Sequence, residues 1–466
     1  MKKITGASLD GLAKARSAFE ARLPLHFERL SWGPDQLRLH QTEQLRRLLS
    51  HAIANSRYHA ERLFDVSNQV DSFELEDLHR LPVMTKEDMM SHYEDVVTDR
   101  RLTKGAVDRF LVEAGEEPSA LFDEYIILAS GGSSGLRGVF AMNLDSVPDY
   151  LAGVLRIGLH RIGGGSVPRG IRLALVAAGS SIHATRATAA LADGTIGTVT
   201  FAPATLPLSE VVARLEACAP TVLAGYASSL ARLAEVQMAG GMSIKPAAIL
   251  STSENLTPEL AGRIASAFGV PPANSFGSSE GLNGMAPPGD EVFTFATDMA
   301  LLEFVDEDDK PVTMGTPAHH VLVTNLVNLA QPLIRYRLDD SMTQQPSAPG
   351  SGFTRATVNG RADEKLQFGD RIVHAHAIRS ALLKVPEISE YQVRCGPGTM
   401  LVRAKAARSF NVEQVARSLE AALQERDEPS IDVRVELVSD LERDVLSGKL
   451  RRFVSLSEPL FEQQRT

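Results

Sequence analysis

Cysteine is nearly absent, with only Cys218 and Cys395 among 466 residues. The two stand far apart without CxxC or Cys/His spacing, which excludes a disulfide framework and a structural zinc site. No run approaches the roughly 20 apolar residues that cross a bilayer. The opening MKKITGASLDGLAKARSAFEARLPL scatters charge where a secretion signal needs about 7–15 consecutive apolar residues. A cytoplasmic protein without a membrane partner is expected. Positive charge is also short: 48 Lys and Arg face 58 Asp and Glu, a net charge of −10 with pI near 5.7. That balance lacks the basic footprint of a nucleic-acid binder. Neither GxxxxGK[ST] nor GxGxxG occurs, so the two common glycine-rich nucleotide motifs are missing as well.

What is present suffices for a large core. Hydrophobic residues make up 44% and charged residues 23% of a chain too long for one compact domain. Leu45, Leu48, Leu49, Ala52 and Ile53 recur at helical spacing within 36–64, which predicts an amphipathic helix and an α-rich start. From 125 onward short apolar runs appear: YIILA (125–129), IRLALVA (171–177), TVTFA (198–202), TVLAGY (221–226), AAIL (247–250) and HVLVTNLVN (320–328). Segments of helical periodicity separate most of them, which predicts α/β layers with mostly parallel sheets. After Gly360 the texture changes. Helices over 376–385 and 411–425 and strands over 391–395, 400–404 and 431–438 describe a compact α+β unit. The expected organisation is a large, multi-layer N-terminal α/β domain over 1–360 and a small α+β C-terminal domain over 361–466.

One glycine-rich segment follows an apparent strand: SGGSSGLRG, 130–138. Its glycines permit a tight turn, and its amides and hydroxyls can surround phosphate oxygens. Alone it reads as an ordinary linker or tight turn ahead of a phosphate loop. Four further segments follow in order: STSENL (251–256), NSFGSSEG (274–281), LIRYRLDD (333–340) with NGRADEKLQFGDR (359–371), and SGKLRRF (447–453). With this ordered set the chain resembles the adenylate-forming superfamily of acyl-CoA ligases, luciferases and peptide-synthetase adenylation domains. That family carries a Ser/Thr/Gly loop, Y-G-x-T-E, Y-R-x-G-D, G-R-x-D and S-G-K-[IL]-x-R. LPVMTKEDMMSHY (81–93) and PLIRYR (332–337) are similar to the phenylacetate-CoA ligase-like branch.

The resemblance implies a set of roles. Ser130, Ser133, Ser134 and Gly135 would line the phosphates. Ser253, Glu254, Phe276, Gly277, Ser278 and Ser279 would surround the nucleotide, with Phe276 in place of tyrosine against adenine. Glu280 would hold Mg²⁺, a hard cation that prefers carboxylate oxygen. Asp340 would accept hydrogen bonds from the ribose hydroxyls, and Arg361 would add a ribose or phosphate contact. Lys449 would be the catalytic lysine, reaching both the attacking carboxylate and the α-phosphate. Tyr226, Ala227, Ser275 and His183 would face the acyl group, and Gly369 would line the thiol's path. Asp363 would be the hinge of a mobile small domain.

The implied reaction turns a carboxylic acid, of aryl or arylacetic type in this branch, into acyl-AMP with ATP and Mg²⁺, then passes the acyl group to coenzyme A. A carrier-protein phosphopantetheine or an amine is an open alternative acceptor, and a phenolic cofactor hydroxyl an open alternative to the carboxylate. A monomer or homodimer is expected. Departures from the family pattern are Leu136-Arg137 for Lys-Pro, Thr252-Ser253-Glu254 for Gly-Gly-Glu, and Leu338-Asp339 for Thr-Gly. They leave open a nucleotide-binding protein that kept the fold without catalysis. His374 and His376 share a strand face but have no third metal ligand nearby. His319-His320 reads as the beginning of a strand and Trp32 as packing.

Overall fold

The computed structural model describes residues 6–455 apart from 116, 131–137, 362–364, 369–370, 375–377, 379–381, 383–387, 397, 407–410, 425–430, 444–449 and 451–452. The chain divides into two compact units, 1–359 and 360–466.

The first unit begins with helices α1 (Gly6–Arg29), α2 (Pro34–Asn55) and α3 (Arg57–Arg62), then α4 (Lys86–Ser91), α5 (Tyr93–Val96) and α6 (Lys104–Glu113). Pro34 sits in the first turn of α2, where a missing N–H costs nothing. The stripe Leu45, Leu48, Leu49 and Ala52 is fully buried, as its spacing predicts, and packs against Leu63, Phe73 and Leu81. Thr85 and Asp88 cap α4 reciprocally: each backbone N–H donates to the other's side chain, at 3.0 and 3.1 Å.

Strand β1 (Tyr125–Ala129) pairs antiparallel with β2 (Val139–Asn143) in a separate two-stranded sheet. This corrects the expectation that YIILA joins the parallel layer. The nine residues between the strands are too few for a parallel crossover, which needs a dozen or more. Helix α7 (Val147–Ile162) follows, and the alternation that the apolar runs predicted then holds. Strand β3 (Ile171–Ala177), α8 (Ala184–Ala192), β4 (Gly197–Pro203), α9 (Leu208–Cys218), β5 (Val222–Gly225), α10 (Ala227–Met238), β6 (Ala248–Thr252), α11 (Pro258–Phe268) and β7 (Ala273–Gly277) succeed one another. The strands lie in the order β4-β3-β5-β6-β7, all parallel.

Strands β8 (Asn283–Ala286) and β9 (Val292–Phe295) continue the sheet antiparallel. After them come β10 (Ala300–Val305), β11 (His320–Asn325) and β12 (Tyr336–Leu338), an antiparallel sheet of three. Strands β13 (Asp340–Gln345) and β14 (Arg355–Arg361) return to complete the nine-stranded sheet beyond β9.

In the second unit β15 (Lys365–Phe368) pairs with β16 (Arg371–His374), and β17 (Ile388–Gly396), β18 (Thr399–Ala406), β19 (Asp432–Leu437) and β20 (Phe453–Ser455) form a sheet ordered β19-β18-β17-β20. Helix Val412–Gln424 adds Val415 and Leu419 to the core of Val393, Met400, Val402 and Val433. The architecture is α/β in the large unit and α+β in the small one.

Two buried polar contacts fasten helices to the rest of the unit. Arg156 of α7 and Asp298 are both completely buried and paired through two hydrogen bonds, one of 2.8 Å. Burial pushes the Asp298 carboxyl up, but the Arg156 charge and hydrogen bonds outweigh it, and Arg29 and His26 act in the same direction, so the group stays below its ordinary range. Removing one partner strands a buried charge. Asp298→Asn is therefore expected to lower the unfolding free energy by about 3 kcal/mol or more in urea titration.

The second contact is His59 of α3, fully buried, whose Nε2–H donates to the Pro332 carbonyl at 3.0 Å. Burial, aided by the Arg62 charge, lowers its pKa from 6.5 to about 3. Between those values the unfolded chain binds a proton that the folded chain refuses. The His59 contribution is thus complete above pH 6.5 and is lost on acidification, with a slope of up to about 1.4 kcal/mol per pH unit. His59→Gln is expected to flatten the stability profile between pH 6.5 and 5, measured by urea unfolding.

Candidate active site

Parallel strands β5, β6 and β7 end at one edge of the sheet, the edge at which open α/β sheets take their ligands. Two of the sequence motifs, and the end of the TVLAGY run, leave from it. After β5, Tyr226 and Ala227 enter α10; both are buried, and the Tyr226 hydroxyl accepts a hydrogen bond from the Ala178 amide at 2.8 Å. After β6, Ser253 turns the chain with φ of +63°. This is the left-handed conformation that glycine takes without cost, and it is the second glycine of the family's Gly-Gly-Glu that Ser253 replaces. The Ser253 hydroxyl lies 3.0 Å from that of Thr185. Glu254 turns back, and its Oε2 accepts from the Ser228 amide in the first turn of α10 at 2.9 Å, where the positive end of the helix favours a carboxylate.

After β7 the chain folds into a tight turn. The Ser278 amide donates to the Leu282 carbonyl at 3.0 Å, and the Ser278 hydroxyl accepts from the Leu282 amide at 3.2 Å. Ser279 is half-buried and Glu280 is buried, 8% exposed. Gly281 closes the turn with φ of +97°, and a Cβ there would stand 2.1 Å from Asn325 Nδ2. Only glycine fits. Alternation along β7 places Ser275 and Phe276 on opposite faces. Phe276 packs its ring edge-on to Phe295 at 5.7 Å and Phe293 at 6.4 Å.

The remaining expected residues are distributed as follows. Ser130 receives the Gly138 amide on its hydroxyl at 3.0 Å and donates its own amide to the Gly138 carbonyl at 2.9 Å, closing the base of the 130–138 segment. Asp340 opens β13 and is half-buried. Tyr336 is fully buried, its ring edge-on to Phe140 of β2 at 6.2 Å, and Arg337 pairs with Asp309. The segments 81–93 and 332–337 meet: Met84 donates to the Arg335 carbonyl at 3.0 Å and accepts from the Arg337 amide at 2.9 Å. Arg361 ends β14. His183 precedes α8 and is half-buried. Ser133, Ser134, Gly135, Asp363, Gly369 and Lys449 lie outside the described residues.

Sequence reasoning missed two features. The first is a chain of buried side-chain amides. Asn325 Nδ2 donates to the Glu280 carbonyl at 2.8 Å, and its Oδ1 accepts from the Asn328 amide at 3.0 Å. Asn328 Nδ2 donates to the Ala141 carbonyl at 2.8 Å. Gln331 Oε1 accepts from the Ala141 amide at 2.7 Å, and its Nε2 donates to the Val139 carbonyl at 3.0 Å. The Glu280 turn is thereby tied to β2, the strand leaving the 130–138 segment. The available signal was three amides at three-residue spacing inside the apolar stretch NLVNLAQ.

The second is Tyr150 of α7, buried beside Thr188 and Glu280. Burial pushes its phenol up to about 12; the Thr188 hydrogen bond pulls the other way, and the Glu280 carboxylate adds to the rise. The phenol is a neutral donor at physiological pH. It stands at the head of a cavity of about 110 Å³ enclosed by α7, α8 and one face of the sheet. Thr252, Ser275 and Gly277 line the same end, whereas Tyr226, Ala227 and His183 do not line it. Among the described residues no three His, Cys, Asp or Glu side chains form a metal cluster.

Comparison with solved structures finds the same architecture over nearly the whole chain. A 2-hydroxyisobutyryl-CoA ligase in its postadenylation state with R3-HIB-AMP aligns with TM-score 0.69 and 16% identity, over 92% of this chain and 91% of that one. The chain has the adenylate-forming fold. The same ligase with 2-HIB-AMP and CoA in the thioesterification state aligns with TM-score 0.56 and 16% identity, over 92% and 91% of the two chains. An ATP-bound chimera, RpMatB-BxBclM B3, aligns with TM-score 0.52 and 16% identity, over 69% and 65%. No protein-family model and no curated protein matches the chain.

The amide chain makes a testable demand. Gln331→Leu leaves the Ala141 amide and the Val139 carbonyl buried without partners, and is expected to cost about 2 kcal/mol or more in urea unfolding. In hydrogen exchange the Ala141 amide should lose protection while those of Val222–Gly225 keep theirs.

Proposed function

We propose that this chain is an AMP-forming ligase that activates a carboxylic acid as acyl-AMP and transfers the acyl group to coenzyme A. The observation that carries this reading is the convergence, at the carboxyl edge of β6 and β7, of Ser253, Glu254 and the Ser278–Glu280 turn, with the amide chain fastening that turn to the strand behind the 130–138 segment. These are the segments whose order resembles the adenylate-forming motifs, on a fold shared with ligases of that chemistry.

In the first step a carboxylate oxygen of the acid attacks the α-phosphorus of ATP, and the bond to the bridging oxygen breaks to release pyrophosphate. In the second the sulfur of CoA attacks the acyl carbonyl carbon, the carbon–oxygen bond to AMP breaks, and the thiol proton leaves to solvent. Ser130, Ser133, Ser134 and Gly135 hold phosphate oxygens. Phe276 and Gly277 face the base, while Asp340 and Arg361 hold the ribose. Ser253, Ser278 and Ser279 donate to the nucleotide, and Glu254 braces the β6 loop against α10. Lys449 aligns the carboxylate with the α-phosphate, then leaves as the small domain turns about Asp363, and Gly369 opens the way for the thiol. Ser275 and Tyr150 face the acid.

Oxygen donors and one buried carboxylate at the Glu280 turn fit magnesium, which takes few protein ligands and fills its shell with phosphate and water. When bound, the ion neutralises phosphate charge.

Pyrophosphate release over a panel of carboxylic acids tests the reading. Lys449→Ala is expected to lower the rate about 10²-fold or more, Glu280→Gln to raise the magnesium requirement, and Asp340→Asn to raise the KM for ATP. CoA-dependent formation of AMP completes the case. Adenylate formation without use of CoA would reassign the acceptor to a carrier protein or an amine, and no ATP consumption with any acid would sink the proposal.

A further inference from the structure

The cavity below Tyr150 has a polarity gradient along its length. Its floor is the sheet face carrying alternate residues, with Leu175, Ala224 and Leu250 side by side in register. Its walls are one stripe of α7 and one of α8. At the carboxyl edge stand the hydroxyls of Tyr150, Thr185, Thr188, Thr252 and Ser275. At the opposite end, toward the first residues of β3 and β5, the lining is Ile162, Ile171, Ala192, Ile196 and Val222. Among the described residues no charged side chain lines it, and Tyr150 is the one aromatic residue. From Tyr150 to Ile162 the helix rises about 18 Å.

Gly158 lies at the middle of this path. A helix interior ordinarily disfavours glycine, and nothing in the backbone of α7 calls for a positive φ there. A Cβ at this position would meet Met285 Cε at 3.1 Å, and both residues line the cavity. The missing side chain keeps the middle of the passage open.

From this geometry we infer that the acid is an open-chain aliphatic carboxylic acid of medium length, its carboxylate at the hydroxyl-lined end beside Glu280 and its alkyl tail running along α7 to Gly158. The inference rests on the ligase reading and departs from the aryl or arylacetic acid that the branch resemblance implied. An extended chain advances about 1.2 Å per bond, so on the order of ten carbons span about 11 Å and bring the chain end level with Gly158, about 12 Å along α7 from Tyr150. Gly158 is the specificity-determining position: a side chain there shortens the passage without touching its polar end.

Calorimetric binding of hexanoate, decanoate and phenylacetate, in the presence of a non-hydrolysable ATP analogue, tests this alongside pyrophosphate release with ATP. Each methylene buried should tighten binding to the wild type about fourfold. Gly158→Leu is expected to abolish the advantage of decanoate while changing hexanoate affinity by about twofold or less. Gly158→Ala, a change that favours the helix, should fall between and guards against a folding artefact. Tighter binding of phenylacetate than decanoate, no binding of any acid, or an unchanged chain-length profile in Gly158→Leu overturns the inference. The expected profile without pyrophosphate release keeps the cavity assignment and removes the ligase reading. Pyrophosphate release with phenylacetate but not with alkanoates does the reverse.

Discussion

Buried amide groups must find partners, and in Asn325, Asn328 and Gln331 that requirement joins parts of the chain nearly two hundred residues apart. An amide has a donor and an acceptor on one planar head, so each residue can grip two backbone groups at once. Gln331 uses both atoms on β2; Asn325 uses one on the Glu280 turn and the other on its own loop. The placement of Glu280 depends on that grip and on Gly281, whose bare α-carbon lets the Asn325 head approach. Displace the amide and the Glu280 carbonyl loses its tie, through Asn325 and Asn328, to β2.

Much of the fold was legible because its strands are short apolar runs separated by helical periods. IRLALVA, TVTFA, TVLAGY and AAIL all became neighbouring parallel strands. YIILA did not, because its partner is β2, a strand over 139–143 that the apolar-run reading left out. Motif order identified the turn bearing Glu280 and the loop bearing Ser253 and Glu254. Composition could not show that Glu254 is spent on capping α10, because a carboxylate in a loop looks the same whether it faces an amide or a ligand. Nor could it show that Tyr226 and Ala227 are buried, with the Tyr226 hydroxyl on the Ala178 amide. Their neighbours Ala178 and Val176 come from a different strand, and contacts of that kind lie outside the reach of local pattern.

The departures from the family pattern acquire physical meaning in the same way. Ser253 keeps the left-handed backbone that glycine would adopt freely, and the strain this stores, on the order of 1 kcal/mol, accompanies the hydroxyl contact with Thr185. Leu338 is buried on β12, where it serves the core, and Asp340 begins the next strand directly after Asp339. Bulk at 252–253 and at 338 is therefore absorbed by packing and by a hydroxyl pair.

Strands β1 and β2 stand apart from the nine-stranded sheet, and this has a mechanical consequence. A strand inside a large sheet is stiffened by hydrogen bonds on both sides, and any displacement must drag its neighbours. The hairpin bearing the 130–138 segment has no such neighbours in its own sheet. It is held instead by burial of both strands in the core, by the Ala129 amide on the Ile182 carbonyl and by the amide heads of Asn328 and Gln331. Shifting the two strands would disturb their own buried contacts but would break no hydrogen bond of the nine-stranded sheet.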